Sequence, residues 1–437
     1  MRILSRRSNL LKMAKDSIRE TILCMKLGNI QERDFSTVPP YFGFSLNGCI
    51  GRKVSWQERI CFFTFMFHFL KTSLLTGEEE AKKRGGILVQ LANANKFALN
   101  NYLVNSNKGL GDAMGLQDGF ISVHRTEEMA IRAVEEVRRY GEKAELLPMS
   151  QALELEPKLK HLPLNDSYFV LRKSDRSADC VQFTRDVIQS FQSSDLIRYE
   201  SGNGAVQDIG ILGSEGKDTK KKFQVTLSDG TMNDFDHIVL AAGILTPILA
   251  ARIAMRSGQS CPIFPLRGYS LTLYTEPEAE GPFLKKALSF DNIYCTSVAP
   301  NMVRLAGFGE IAGFPNGGTD VCPRVGPMVI EKYAKHIFGK YSTSKIIGST
   351  LPCFRPMSPD DVPLVGSIEE VPGLFVHSGH GTLGWTLSLA TAYCLAQDVC
   401  DELLNVKGRD YSYDLPDGTY IHKSYLRPDR FHILPFI

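Results

Sequence analysis

The pattern of apolar and polar positions is most regular in residues 126–141, where it predicts an amphipathic helix. Thr126 is suited to cap the helix N-terminus, and acidic residues follow it in the first turn. Apolar residues recur at helical spacing, as at Ala130 and Val134, and Gly141 stands after a basic last turn, where a left-handed glycine often ends a helix. Periodicity, charge and capping therefore agree on one helix.

Shorter apolar runs predict strands. Residues 223–227 alternate and run into Asp229-Gly230, which is a hairpin signal. Residues 237–241 form a short apolar run of the kind that is buried on both faces of a parallel sheet, and residues 374–377 form another. Residues 263–312 give several strand-like runs separated by glycine and proline, which we expect to form an antiparallel sheet.

Helical patterns cover residues 385–404 and most of residues 55–107. Residues 60–70 form the most apolar run of the chain, which is shorter than the ~20 residues needed to cross a bilayer. We interpret this run as a buried helix; the alternative is an interfacial helix, so a peripheral membrane contact stays open. Strands mixed with helices, with an antiparallel block in the middle, predict the α/β plus α+β fold class.

Composition narrows the functional classes. The chain has 437 residues, 43% of them hydrophobic and 22% charged, which is enough to build a large core. This length predicts two domains, or one large domain with a second one inserted. The net charge of +2 gives no general attraction to nucleic acid. Ten cysteines occur without metal-type Cys/His spacing, so we expect mostly buried, reduced thiols and no metal site.

The first fifteen residues carry five basic side chains and no acidic one. This composition resembles a mitochondrial transit peptide, and an unstructured basic tail is the alternative. We therefore expect a mitochondrial or a cytoplasmic location.

The strongest local signal for chemistry is the segment SGHGTLGWT at residues 378–386. Gly379, Gly381 and Gly384 match G-x-G-x-x-G between a predicted strand and a predicted helix, but no second strand follows to complete a dinucleotide-binding unit. A glycine-rich helix N-terminus still presents unpaired amides and a positive dipole end to a ligand. The alternative is a tight turn packed on the sheet.

Two further segments carry polar side chains on a restricted backbone. Arg355 lies among prolines, and its planar guanidinium suits a carboxylate. The alternative is an ion pair with Asp360 or Asp361. Tyr269, in the segment PLRGYSLTL, is either a pocket hydroxyl or half-buried packing.

Other motifs are weaker or missing. Gly202-Asn203-Gly204 is a near miss for a dinucleotide loop, and we interpret it as a turn. The sequence contains no G-x-S-x-G, P-loop or H-E-x-x-H pattern, so serine hydrolases, P-loop NTPases and zincins lack their usual marks.

Three segments together resemble the D-amino acid dehydrogenase small subunit, within the D-amino acid oxidase and glycine oxidase superfamily. They are PLRGYSLTL, RPMSPDDVPLVG and SGHGTLGWT, of which GHGTLGWT is the most specific. The segments LQDGFISVHRTEEM, HIVLAAG and VRLAGFGEIAGF support them in the same order. The resemblance covers about residues 45–435.

The resemblance implies an FAD-binding sheet-and-helix domain, truncated at its N-terminus and interleaved with an antiparallel-sheet substrate domain. The FAD-binding domain is expected to take residues 44–110, 165–247 and 345–437. The substrate domain is expected to take residues 111–164 and 248–344, and residues 1–43 form an atypical N-terminal extension.

FAD is the cofactor that the resemblance implies, and the family's roles carry over to matching positions. The flavin ring would lie under a loop that contains Gly379, Gly381, Thr382, Leu383 and Gly384. Ala242 and Gly243 would lie near the cofactor's phosphates, and Val206 near its adenine. Arg355 would hold the substrate carboxylate, and the pocket would also include Tyr269, Tyr294 and His380.

The reaction that the resemblance implies is oxidative deamination of D-amino acids to 2-oxo acids and ammonia, by hydride transfer to the flavin. The substrate is thus a small amino acid, and the electron acceptor stays open. An amine oxidase of the sarcosine or glycine oxidase type is the alternative enzyme.

The N-terminus departs from the family. The family begins with a strand and a G-x-G-x-x-G loop, and residues 1–45 contain neither. Without that loop the pyrophosphate loses its main backbone cradle, and the parallel sheet loses its central strand, which would expose apolar edges. Three explanations stay open: an incomplete or alternatively spliced product, a catalytically inactive remnant that lacks FAD, or weak FAD binding through the remaining contacts.

Overall fold

The computed structural model of the chain describes residues 42–44, 49–105, 116–139, 141–161, 167–200, 205–212, 222–253, 261–274, 283–290, 293–315, 330–331, 334, 346–404 and 411–431. The predicted targeting segment at residues 1–15 and the predicted turn at residues 202–204 lie outside the described residues.

The helices of the described residues are α1 (Trp56–Leu75), α2 (Glu78–Asn105), α3 (Glu127–Arg139), α4 (Met149–Leu155), α5 (Cys180–Gln192), α6 (Thr246–Ile253) and α7 (Gly384–Leu403). The strands of the first half are β1 (Phe42–Phe44), β2 (Gln117–His124), β3 (Ala144–Leu147), β4 (Tyr168–Ser177), β5 (Val206–Ile211), β6 (Phe223–Leu227), β7 (Met232–Phe235) and β8 (Ile238–Leu240). Those of the second half are β9 (Phe264–Tyr274), β10 (Ala287–Phe290), β11 (Ile293–Ala299), β12 (Met302–Ile311), β13 (Ile346–Met357), β14 (Leu364–Ser367), β15 (Leu374–Ser378), β16 (Ser412–Asp414) and β17 (Tyr420–His422).

A nine-stranded mixed sheet forms the largest element of the fold. Its order is β13-β9-β12-β11-β10-β2-β4-β3, with β1 beside β12. Neighbouring strands are antiparallel except for β10 with β2 and β1 with β12, so the antiparallel sheet predicted for residues 263–312 is confirmed. One face of the sheet covers the largest apolar core, which includes Ile121, Phe169, Leu271 and Leu305.

A smaller sheet has the order β14-β15-β8. β15 and β8 are parallel, and among the described residues β8 has a partner strand on one side only. The strand predicted at residues 237–241 is therefore confirmed, but its burial on both faces is wrong, because Val239 is 43% exposed. The mixture of a parallel pair with a large antiparallel sheet agrees with the predicted fold class.

The local signals of the sequence hold in several places. α3 begins after Thr126, whose hydroxyl accepts a hydrogen bond from the amide of Met129. Gly141 has a φ of +79° after its C-terminus. Gly230 has a φ of +85° in the turn between β6 and β7, as the hairpin signal requires.

The apolar run at residues 60–70 lies in α1, which begins with a capping box between Ser55 and Glu58. Phe62 contacts the ring of Phe264 on the sheet side, whereas Phe63 is 58% exposed. The buried interpretation therefore holds for one side of the helix only. Among the described helices none alone is long and apolar enough to cross a membrane, but α1 and α2 pass that test as a pair bent by 115°.

α2 packs along α7 and fixes its position. Leu91 of α2 and Ala390 of α7 share one buried core. Asn95 of α2 accepts a hydrogen bond from the amide of Leu389 at 2.7 Å and donates one to the carbonyl of Trp385 at 3.4 Å. A buried amide side chain thus ties the first two turns of α7 to its neighbour.

The predicted domain ranges stay a prediction. At two of the predicted boundaries, however, a strand is separated from the sheet in which it pairs. β4 falls within residues 165–247 and β13 within residues 345–437, and both were assigned to the FAD-binding domain. Each belongs instead to the nine-stranded sheet that would form the substrate domain.

The eight cysteines of the described residues are all unpaired, and five of them are buried.

The second half of α7 carries a buried charge cluster. Asp398 accepts hydrogen bonds from the Tyr413 hydroxyl at 2.6 Å and from Lys423 Nζ at 2.9 Å, and Arg427 lies 3.5 Å away. Burial and the neighbouring carboxylate raise the pKa of Tyr413 above its ordinary value. The cluster joins α7 to the C-terminal strands.

We expect Asp398→Asn to lower the free energy of unfolding by about 3 kcal/mol, because it removes the buried carboxylate that Lys423 and Arg427 share and leaves Lys423 only Asp401, at 3.5 Å. Urea unfolding followed by circular dichroism measures this. Glu128→Gln is the control, since it removes an exposed ion pair with Arg132 and should change stability little. Equal effects of the two variants would contradict the assignment.

Candidate active site

The glycine-rich segment forms a turn between β15 and α7. Gly379 and Gly381 have φ angles of +78° and +55°. A Cβ on Gly379 would lie 2.9 Å from a methyl carbon of Leu364, and one on Gly381 would lie 3.0 Å from the sulfur of Met357. Both positions therefore require glycine for their backbone conformation and for their close contacts.

The turn leads directly into the N-terminus of α7. Leu383 occupies the N-cap position, and no side chain caps the helix there. A Cβ added to Gly384 would have one neighbouring atom within 4 Å, the Cβ of His380 at 3.9 Å. The N-terminus of α7 thus has no capping side chain, and its positive dipole end favours an anionic or electron-rich ligand.

A second glycine turn lies beside the first. Ala242 and Gly243 follow β8, and Gly243 has a φ of +56° with no atom within 4 Å of an added Cβ. The Ser378 hydroxyl donates to the carbonyl of Gly243 at 3.0 Å, which joins the two turns. They stand at the carboxyl ends of two parallel strands, where open α/β sheets bind their ligands.

Arg355 lies on β13 with a partly buried side chain. Its guanidinium fills the space that a side chain at position 268 would need. A Cβ added to Gly268 would lie only 2.4 Å from Arg355 Nη2. Nη1 donates to the carbonyl of Phe308 at 2.6 Å and Nη2 to that of Gly307 at 3.4 Å. Neutral carbonyls therefore hold the group without cancelling its charge.

The alternative ion pair of Arg355 is not what the structure shows. Asp360 pairs with Arg430, whose Nε lies 2.9 Å from Asp360 Oδ2. Among the described residues no carboxylate lies within 4.0 Å of Arg355. Its remaining donors are available to an external carboxylate.

Met357 connects Arg355 to the glycine turn. The two residues are two apart on β13 and so share one face of the strand. Met357 packs against Gly381 and forms an isolated β-bridge with His380. The structure therefore brings Arg355 and the turn of Gly379–Gly384 together.

Tyr269 belongs to the other face of the sheet. Adjacent residues of a strand point to opposite faces, so Gly268 shares the side of Arg355 and Tyr269 does not. Tyr269 is 2% exposed in the large core, and its hydroxyl donates to Glu310 at 2.7 Å. The pocket partnership with Arg355 expected from the sequence is therefore not what the structure gives, and the packing alternative describes this side chain.

Tyr294 lies on the same side of the sheet as Ser270. Tyr294 stands opposite Ala306, which stands opposite Ser270. Its side chain is 57% exposed, and its ring centroid lies 6.2 Å from that of Phe120. This polar, open side also carries Arg304, which sequence reasoning missed, because its partner Ser270 is 34 residues away in the chain.

His380 points into a small, partly buried cluster beside α7. His380 Nε2 and His377 Nε2 lie 3.0 Å and 2.9 Å from the Thr391 hydroxyl. Burial lowers the pKa of His377 to about 4, and burial with the neighbouring His377 lowers that of His380 to about 3. Both rings are neutral near pH 7, so His380 is a weak proton acceptor there.

Val206 begins β5, at the edge of the three-stranded sheet β5-β6-β7, and is 42% exposed. β5 packs against α6, the helix that follows the Gly243 turn. Arg252 of α6 donates to the carbonyl of Gln207. The structure thus connects Val206 to the Gly243 turn through one helix, and its adenine contact stays a prediction.

The histidine pair gives a pH dependence. Unfolded histidines bind protons near pH 6.5, whereas the folded pair resists protonation down to about pH 4. The free energy of unfolding therefore has its full value above pH 6.5. It falls as the pH is lowered toward 4, by about 1.4 kcal/mol per pH unit for each histidine. Urea unfolding at several pH values measures this slope.

A variant with both His377→Gln and His380→Gln should show a shallower decline over this window. His422→Gln is the control, because His422 lies exposed on the surface. An unchanged slope in the double variant would contradict the assignment.

Comparison with known proteins gives a consistent result. A family model described as DAO, FAD dependent oxidoreductase, matches residues 81–398. A D-amino acid dehydrogenase of Rhizobium rhizogenes is 26% identical over 343 residues, which cover 77% of this chain and 76% of that protein.

Solved structures resemble the fold. Glycine oxidase from Bacillus cereus superposes with a TM-score of 0.57 at 18% identity, over 75% of this chain and 83% of that one. L-Proline dehydrogenase from P. horikoshii superposes with a TM-score of 0.56 at 17% identity, over 79% of this chain and 83% of that one. At these identities the likeness concerns the fold alone.

The backbone at the two glycine turns is compatible with bound FAD. The uncapped amides of α7 and the open space beside Gly243 leave room for a ligand against bare backbone. The described residues hold no G-x-G-x-x-G loop that precedes them at a first strand, where dinucleotide-binding units cradle the pyrophosphate. The fit therefore concerns the two glycine turns, without a glycine-rich loop that would complete the pyrophosphate cradle among the described residues.

Proposed function

The chain belongs to the family of FAD-dependent oxidoreductases, and from this premise we propose that it oxidatively deaminates D-amino acids to 2-oxo acids and ammonia. The curated relatives named D-amino acid dehydrogenase support this substrate class. FAD, when bound, supplies the acceptor for the hydride that leaves the substrate α-carbon.

Arg355 is the observation that carries the proposal. Its guanidinium is fixed by two backbone carbonyls and has no carboxylate partner among the described residues. Arg355 lies two residues before Met357, which packs on Gly381 of the glycine turn. A fixed, uncompensated guanidinium is suited to bind the α-carboxylate of an amino acid in two parallel hydrogen bonds. In this role Arg355 orients the substrate so that its α-carbon faces the turn.

The glycine turns would hold the cofactor. The backbone of Gly379, Gly381, Thr382, Leu383 and Gly384 would contact the ring, and the uncapped amides of α7 would stabilise negative charge on it. Ala242 and Gly243 would lie along the phosphate side, and Val206 near the adenine. His380 would contribute as a neutral ring that positions the turn through Thr391.

A glycine or sarcosine oxidase is the second candidate. The solved structure of glycine oxidase from Bacillus cereus resembles this fold. Both candidates require a carboxylate clamp, so the choice between them depends on how large an amine substrate the site accepts.

We expect the purified chain, supplied with FAD, to reduce a redox dye when D-amino acids are added. Arg355→Gln should lower kcat/KM by about 100-fold or more, since truncation of one partner of a buried charge pair costs about 2–5 kcal/mol. The substrate panel includes D-alanine, L-alanine, glycine and sarcosine. Preference for glycine or sarcosine would favour the second candidate.

Arg132→Gln is the matched control, because Arg132 lies on the exposed side of α3 and should not affect turnover. A folded, FAD-containing chain that oxidises none of these substrates would contradict the proposal. Full activity in Arg355→Gln would contradict the role of Arg355.

Gly268 should act as a positioning residue. Gly268→Ala places a methyl group where the guanidinium of Arg355 lies, so the arginine must move. We expect KM for the amino acid to rise by about tenfold or more, with kcat and FAD content changed less, because small misplacements of a clamp weaken binding strongly.

Gly210→Ala is the control for this variant. Gly210 also lies in a strand, but an added Cβ there meets no atom within 4 Å. The same KM in Gly268→Ala and Gly210→Ala would show that Arg355 does not depend on this space.

A further inference from the structure

A second arginine lies on the same side of the large sheet as Arg355. Arg304 of β12 donates through Nη2 to the Ser270 hydroxyl at 3.1 Å, and its side chain is partly buried. Ser270 is two residues after Gly268 on β9, so both point to the same face. The guanidinium of Arg355 occupies the space over Gly268, and that of Arg304 reaches Ser270.

The two cations are therefore neighbours. Same-face positions two residues apart on a strand are separated by roughly 7 Å. The guanidinium groups, anchored over Gly268 and at Ser270, are separated by a distance on the order of that spacing. Two carboxylates of one small molecule can meet both groups at such a separation.

The charges of the two arginines are not compensated within the described residues. On the opposite face, Arg267 is paired with Glu310 at 2.7 Å, which is how a buried arginine is usually neutralised. Arg304 and Arg355 have hydroxyl and carbonyl partners instead, and no described carboxylate lies within 4.0 Å of either.

We propose that the site takes dicarboxylic amino acids, with the α-carboxylate on Arg355 and the side-chain carboxylate on Arg304. This inference rests on the carboxylate clamp of the proposed function and adds the substrate class. Arg304 acts as a specificity-determining residue, because it binds the end of the substrate that does not react. Tyr294 lies on the same side of the sheet, two strands away from Ser270.

Binding without turnover tests the inference first. Glutarate and valerate have the same number of carbons, but only glutarate carries a second carboxylate. Isothermal titration of the purified chain should show at least about tenfold tighter binding of glutarate than of valerate, as expected for one further charge-assisted pair. In Arg304→Gln the two affinities should agree within about twofold.

Two further variants make the result specific. Arg304→Lys should retain part of the preference, because a cation remains, although the planar fork is lost. Arg132→Gln should leave the preference unchanged, since it removes a cation from an exposed helix. Thermal unfolding of each variant establishes that it is folded, and Arg304→Lys keeps the test valid if Arg304→Gln is unstable.

Turnover provides the second arm. D-Glutamate should have a higher kcat/KM than D-norvaline, which has the same carbon chain and no second carboxylate. Arg304→Gln should remove this difference, mainly by raising KM for D-glutamate.

The outcomes separate the two proposals. Equal binding of glutarate and valerate, or an unchanged preference in Arg304→Gln, would overturn the dicarboxylate site while D-amino acid oxidation could stand. A preference for glutarate that depends on Arg304, in a chain that oxidises no amino acid, would support the site and remove the proposed function.

Discussion

The placement of one guanidinium over a bare stretch of backbone is the constraint on which the rest of the site depends. Arg355 fits there because position 268 has no side chain and because Phe308 turns its carbonyl toward it. Phe308 has a φ of +62°, beside a register shift in β12 between Gly307 and Glu310. Such a conformation costs about 1–3 kcal/mol, and here it gives the arginine a fixed acceptor.

The glycine turn depends on a different set of contacts. Asn95 of α2 ties the first turns of α7, and Met357 packs on Gly381, so the turn is held from the helix side and from the sheet side. The second glycine turn has less support among the described residues, because it follows β8, the outer strand of its sheet. The candidate site therefore combines a turn that is held from two sides with a turn that follows an open strand edge.

The sequence predicts the parts that depend on local chemistry. Glycines and caps indicate the turn of Gly379–Gly384 and the helix α3, because these signals act within a few residues. The face of the sheet on which Tyr269 lies depends on strand register between distant segments, and so does the hydrogen bond from Arg304 to Ser270. No local pattern specifies this register. For the same reason the sequence does not show that β4 and β13 join the nine-stranded sheet, since sheet order is set by long-range pairing.

The flavin absorption spectrum of the purified chain tests the central claim most directly. The account predicts that the chain takes up FAD and that titration with glutarate, which has no amine to oxidise, changes the flavin band saturably. The change should be lost in Arg355→Gln, because the carboxylate would no longer be held beside the ring. A folded chain that takes up no FAD, or bound FAD whose spectrum ignores the carboxylate, would contradict it.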